Sequence, residues 1–124
     1  MEQINEDYVS FETAKLLKEK GFDYPTLRYY YDEDGDLLFS AWRVDDGKNE
    51  FVAPTLQMAM KWLREVHEIF IQPNINFLYP VKYYCKIFCY GDNLKTSQDI
   101  TTKNFESPEE ACEAAIKYCL ENLI

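Results

Sequence analysis

Cysteine is the side chain with the widest chemical range in this 124-residue chain, and there are four: Cys85, Cys89, Cys112 and Cys119. Together they could hold a soft metal, carry a redox couple or supply a nucleophile. Spacing restricts those options. Cys85 and Cys89 fall on one face of an expected strand, where four residues span about 13 Å. Cys112 and Cys119 fall on one face of an expected helix, about 10 Å apart. A tetrahedral zinc with metal–sulfur bonds of about 2.3 Å is within reach of neither pair. One strand thiol and one helix thiol could meet if the two elements pack, which would supply only two ligands. The expectation is buried free thiols in a reducing compartment, with no metal and no cofactor.

The remaining chemistry-bearing residues organise no better. Asp32, Asp34 and Asp36 surround Gly35 and suggest a calcium loop. With Gly35 at the sixth position, the first ligand would be Tyr30 and the twelfth Ala41, so the frame fails and a hairpin turn remains. His67 is the only histidine; it falls at the end of an expected helix, where positive charge is favoured, and no partner is spaced to make it a base. None of the serines lies in a Gly-x-Ser-x-Gly turn, and the four glycines form no phosphate-binding loop. Twenty-two acidic residues single out no catalytic pair. The sequence therefore points to a protein without catalytic residues.

Composition bounds the rest. Hydrophobic residues at 47% and aromatics at 16% predict a folded chain, and 124 residues suit one domain, 1–124. The apolar runs are too short for a membrane span. The opening Met-Glu-Gln-Ile-Asn-Glu-Asp is polar and acidic, unlike a secretory leader, so the expected compartment is the cytoplasm. A net charge of −9 repels nucleic acid and anionic lipid and favours a basic partner. The same charge also serves solubility.

These residues must be positioned by recognisable elements. Residues 1–9 read as a frayed lead-in. Ser10 caps a helix to Lys20, and Gly21 with Phe22 ends it in a Schellman motif. Residues 25–44 read as a hairpin turning at Asp32–Asp36. A two-residue loop mixes polar and apolar residues on both faces. A three-residue loop pairs Tyr31 with Leu37 and Tyr29 with Phe39, separates the faces and is the expected register. Residues 55–67 form a helix whose inner face is Leu56, Ala59, Met60, Leu63 and Val66, widened by Met58 and Trp62. Ile69–Ile71 is a strand stopped or bent at Pro73. Val81–Tyr90 alternates cleanly as a strand, and a weaker strand lies near residues 100–105. Ser107-Pro108-Glu109-Glu110 starts the C-terminal helix with a cap, an N1 proline and acidic residues at the positive end of the dipole. The predicted fold is α+β, a single antiparallel sheet packed on amphipathic helices in the order α-β-β-α-β-β-β-α.

In the expected register one hairpin face carries Arg28, Tyr30, Leu38 and Trp42. If helices cover only the other side, these four form an interaction surface; if the N-terminal helix lies over them, they are core.

The order helix, strand, strand, strand, helix over residues 55–123 is similar to double-stranded-RNA-binding domains, and Ala111, Ala114 and Ala115 resemble small residues of their last helix. In that family the helix start is basic, whereas Glu109, Glu110 and Glu113 stand here. Direct nucleic-acid binding is therefore not expected. The strand leading into Ser107-Pro108-Glu109-Glu110-Ala111 also resembles the HicB antitoxin fold. More of the chain, namely Tyr8–Asp23, Ala53–Glu65 and Glu109–Ile124, resembles small uncharacterised proteins of phages and mobile elements from gut bacteria. That resemblance implies a phage-derived or integrated-element origin and assigns no activity. The expected function is binding to another protein; the alternative is a nucleic-acid-linked regulator, either antitoxin-like or an acidic DNA mimic.

Overall fold

The computed structural model describes residues 7–24, 28–31, 36–39, 50–90 and 98–124. The chain is α+β, with the order α1 (Phe11–Glu19), β1 (Arg28–Tyr31), β2 (Asp36–Phe39), β3 (Glu50–Ala53), α2 (Leu56–His67), β4 (Ile69–Asn76), β5 (Lys82–Cys89), β6 (Gln98–Thr101) and α3 (Pro108–Asn122). The strands form two three-stranded antiparallel sheets, β2-β1-β3 and β4-β5-β6, in place of the single sheet expected. Two compact units hold them, residues 1–56 and 57–124.

In the first unit, local chemistry sets α1. The Ser10 hydroxyl accepts the Thr13 N–H at 3.3 Å, replacing a bond the first turn cannot make for itself. Gly21 adopts φ 97°, and the Phe22 and Gly21 N–H groups donate back to the Leu17 and Lys18 carbonyls. This is the expected Schellman ending, and it leaves Phe22 buried with Leu17. Residues 7–9 of the expected frayed lead-in are held by backbone bonds. The Val9 N–H donates to the Pro54 carbonyl, the Leu56 N–H to the Asp7 carbonyl, and Val9 is fully buried.

The hairpin register differs from the expected one. Arg28 pairs with Phe39, Tyr29 with Leu38, Tyr30 with Leu37 and Tyr31 with Asp36, so four residues, 32–35, link the strands. Separation of faces between two strands alone does not decide the register here. In the structure β1 is central, and β3 fixes its other edge through Arg28–Ala53 and Tyr30–Phe51 pairs. β3 itself was not expected as a strand, because its four residues pair only with a distant partner. Its Phe51 meets Phe11 of α1 edge-on at 5.5 Å, and Ala53, Ala14 and Leu17 are buried.

In the second unit β5 is central and alternates as its sequence predicts. Cys85 and Ile87 are fully buried, whereas Lys82, Tyr84, Lys86 and Phe88 are partly exposed. β4 runs through Pro73, which pairs with Cys85, rather than stopping there. As an edge strand β4 has an outer side that needs no N–H donor, so proline is tolerated. α3 starts at its predicted cap, with the Glu110 N–H donating to Ser107 Oγ at 3.1 Å. It buries Ala111, Cys112, Ala115, Ile116, Cys119 and Leu120. In α2, Leu56, Ala59, Trp62 and Leu63 are buried, but Met58 and Val66 of the expected inner face are exposed.

Candidate interaction surface

The most exposed apolar side chains of the described residues are consecutive. Phe77, Leu78 and Tyr79 are 79%, 77% and 97% exposed, and they occupy the connection between β4 and β5. Pairing runs to the very end of the two strands, Asn76 with Lys82, so the tip sits on a rigid ribbon. Asn76 stiffens the tip further, because its Oδ1 accepts the Leu78 N–H at 3.1 Å, as in an Asx turn. The Tyr79–Pro80 peptide bond is cis. Ile75 and Val81 flank the tip and are also exposed. An apolar cluster of this kind costs solvation in a free monomer, and it is held here on a preorganised hairpin.

A groove of about 490 Å³ opens beside the tip, lined by Ile75, Asn76, Phe77, Tyr84, Lys86 and residues 101–104. Its far wall is a β-bulge. The Thr102 N–H donates to the Cys85 carbonyl while Thr102 Oγ1 accepts the Cys85 N–H at 2.8 Å. Two residues on, Phe105 and Tyr83 exchange a second pair of backbone bonds, which leaves Lys103 and Asn104 opposite Tyr84 alone. The extra residue re-aims the chain at the groove's edge. Next to it Lys82 pairs with Glu106.

The cysteines meet across the strand and helix. Cys85 Sγ points its S–H at Cys112 Sγ across 4.0 Å, and both residues are buried. Cys119 is also fully buried and Cys89 partly so; all four are free thiols. The hydrogen bond to Cys112 and burial push the Cys85 thiol up, and burial pushes Cys119 up to about 12. Thiols raised in this way are weak nucleophiles, whereas the same hydrogen bond pushes the Cys112 thiol down. Among the described residues no group of three or more His, Cys, Asp or Glu side chains could hold a metal ion. His67 packs edge-on against Trp62 with ring centroids 4.7 Å apart, and burial lowers its pKa. Its Nε2 is buried with no hydrogen-bond partner among the described residues, and it takes no part in lining the groove.

The four residues expected to form a hairpin patch are not brought together on one described face. Arg28 is half-buried, with its guanidinium 6.0 Å from the Tyr8 ring centroid, at the outer limit of a cation–π contact. It pairs with Ala53, whose side of the sheet is the one α1 packs against. Tyr30 pairs with Leu37, while Leu38 pairs with Tyr29 and so stands at the opposite parity. Trp42 lies outside the described residues. The expected strands end near Pro73 and begin again at Val81, and hydrophobicity alone assigns Phe77–Tyr79 between them no role. The turn-forming residues that bracket it, Asn74, Asn76 and Pro80, were the available signal.

No helix among the described residues is long and apolar enough to cross a membrane. The chain matches no protein-family model, no curated protein and no solved structure.

Proposed function

We propose that the chain is a non-enzymatic binding protein whose β4–β5 tip docks into an apolar cleft on another protein. The observation that supports this is the exposure of Phe77, Leu78 and Tyr79 on a paired, Asx-stabilised hairpin. Each such side chain contributes roughly 1.5–3 kcal/mol when fully buried, before the entropic cost of association is subtracted. Phe and Tyr are also stiff, so little rotamer freedom is lost on docking. The resemblance of the three helices to accessory proteins of phages and mobile elements is compatible with such a role.

The test is site-specific photocrosslinking inside cells that express the chain. A benzoyl-phenylalanine at position 79 should give one discrete adduct with another protein, and the same probe at exposed Asp23 should not. The Phe77→Ser/Leu78→Ser background should abolish that adduct. Equal labelling at both positions would sink the proposal. An adduct of twice the chain's own mass would replace it with self-association.

A further inference from the structure

We propose that the open face of the second sheet, a surface distinct in chemistry from the apolar tip, binds a short stretch of single-stranded nucleic acid. Strand pairing puts Phe70 beside Phe88, with rings stacked at 6.5 Å, and Asn74 beside Tyr84 on the same face. Lys86 lies between Tyr84 and Phe88 on β5, paired with Gln72 on one side and Thr101 on the other. The bulge adds exposed Lys103 and Asn104 at the border of the groove. Aromatic rings alternating with cations and amides form the combination that single strands require. Unstacked bases lie on rings, phosphates lie on ammonium groups, and amides meet base edges. Tyr84 and Phe88 are four strand residues apart, about 13 Å, enough for a few nucleotides. A duplex keeps its base faces stacked inside and offers nothing to these rings.

The expectation against nucleic acid rested on the acidic start of α3, which is not part of this face, and on the net charge, which averages over an uneven chain. Residues 1–56 carry 13 acidic and 6 basic residues, and residues 57–124 carry 9 and 7. Of those nine, Glu109, Glu110, Glu113 and Glu121 are on α3, and Glu65 is on α2. Glu106 is engaged by Lys82. Asp99, which pairs with Phe88, is the acidic position of β6. At physiological salt, charges beyond about 8 Å are largely screened, so the ligand responds chiefly to the charged positions of this face and its border, where Lys86 and Lys103 outnumber Asp99. An acidic peptide would satisfy those lysines but would leave the ring faces without a flat partner.

The whole chain is titrated by fluorescence anisotropy against four labelled probes: 15-mers of oligo(dT) and oligo(U), a 15-base-pair duplex, and an octaglutamate peptide. Both single strands should bind at least ten-fold tighter than the duplex or the peptide. Two lysine–phosphate contacts predict a log–log salt slope of about −1.4. Lys86→Ala/Lys103→Ala should weaken binding at least ten-fold and flatten the slope. Tyr84→Ala/Phe88→Ala should weaken it five-fold or more with the slope kept, since stacking is neutral to salt. If that second variant fails to fold, the lysine pair still decides the matter, because neither lysine is buried. Leu78→Ser/Tyr79→Ser should leave oligonucleotide binding intact, which separates this proposal from docking through the tip. Equal affinity for the duplex, preference for octaglutamate, or no anisotropy change with either single strand at 100 µM protein would each overturn it.

Discussion

Cys85 on β5 and Cys112 on α3 face each other across 4.0 Å of buried space, with the Cys85 S–H directed at the Cys112 sulfur. The contact pins the central strand to the helix that covers it; it pushes the Cys85 thiol up and the Cys112 thiol down, and both sulfurs are sheltered by burial. Thiol labelling with Ellman's reagent should therefore be slow in the native protein and complete, with four thiols, in denaturant. The buried three should react at least about ten-fold more slowly than in the unfolded chain, through opening of the strand–helix contact. Cys89, the one thiol that is only partly buried, should react first. Fast native labelling of Cys85 or Cys112 would show that the packing of β5 on α3 has been misplaced.

Cys119 makes stability fall in alkali. Its thiol titrates at about 12 in the folded protein, against 9.0 for an unperturbed thiol, because burial disfavours the thiolate. The native state therefore holds a proton that the unfolded state releases between pH 9 and 12. The contribution is complete below pH 9 and declines by about 1.4 kcal/mol per pH unit across that window. Urea midpoints measured from pH 8 to 11 should drop more steeply for the wild type than for Cys119→Ala.

Thr102 supports the bulge with one oxygen. Its Oγ1 accepts the N–H of Cys85, a fully buried residue, at 2.8 Å. Thr102→Val keeps the shape and orphans that donor, which should cost about 1–3 kcal/mol in chemical denaturation. Thr102→Ser, retaining the acceptor, should lose much less.

Two helix ends give opposite expectations. Ser107→Ala removes the α3 cap and should destabilise by about 1 kcal/mol. Glu68, just after α2, sits at φ 56° without being glycine, a conformation that strains an L-residue. Glu68→Gly should raise stability by about 0.5–1 kcal/mol, the relief of strain exceeding the added freedom of the unfolded chain. Thermal melts of both variants check the pair.

Phe77→Ser/Leu78→Ser should change stability by less than about 0.5 kcal/mol, because neither side chain is packed, while removing the partner contact. A large loss in the thermal melt would mean that the tip folds back on the protein.

The features legible in the sequence were the local ones. Ser10, Gly21 and Phe22 specify both ends of α1 through residues at most five positions apart, and Ser107 with Pro108 does the same for the start of α3. The alternation of β5 was readable because one face is buried under a helix. Pairing between distant segments was not. β3 joins β1 across about twenty residues, and the hairpin register differs by one from the expected one, with Leu38 opposite Tyr29. The tip at Phe77–Tyr79 escaped notice for a related reason. Hydrophobicity alone cannot tell a residue that faces the core from one that faces a partner, and only the placement of Asn76 and Pro80 distinguishes them.

Pro73 has a further consequence for how copies of the chain behave in concentrated solution. β4 is the outer strand of its sheet and eight residues long, with isoleucine at 69, 71 and 75. An outer strand of that length and composition is a template on which other chains add by backbone pairing, the first step toward fibres. Proline at its midpoint removes one donor and breaks the template into two halves too short to recruit a strand. The chain thus exposes an apolar hairpin end beside an outer strand that is interrupted as a template.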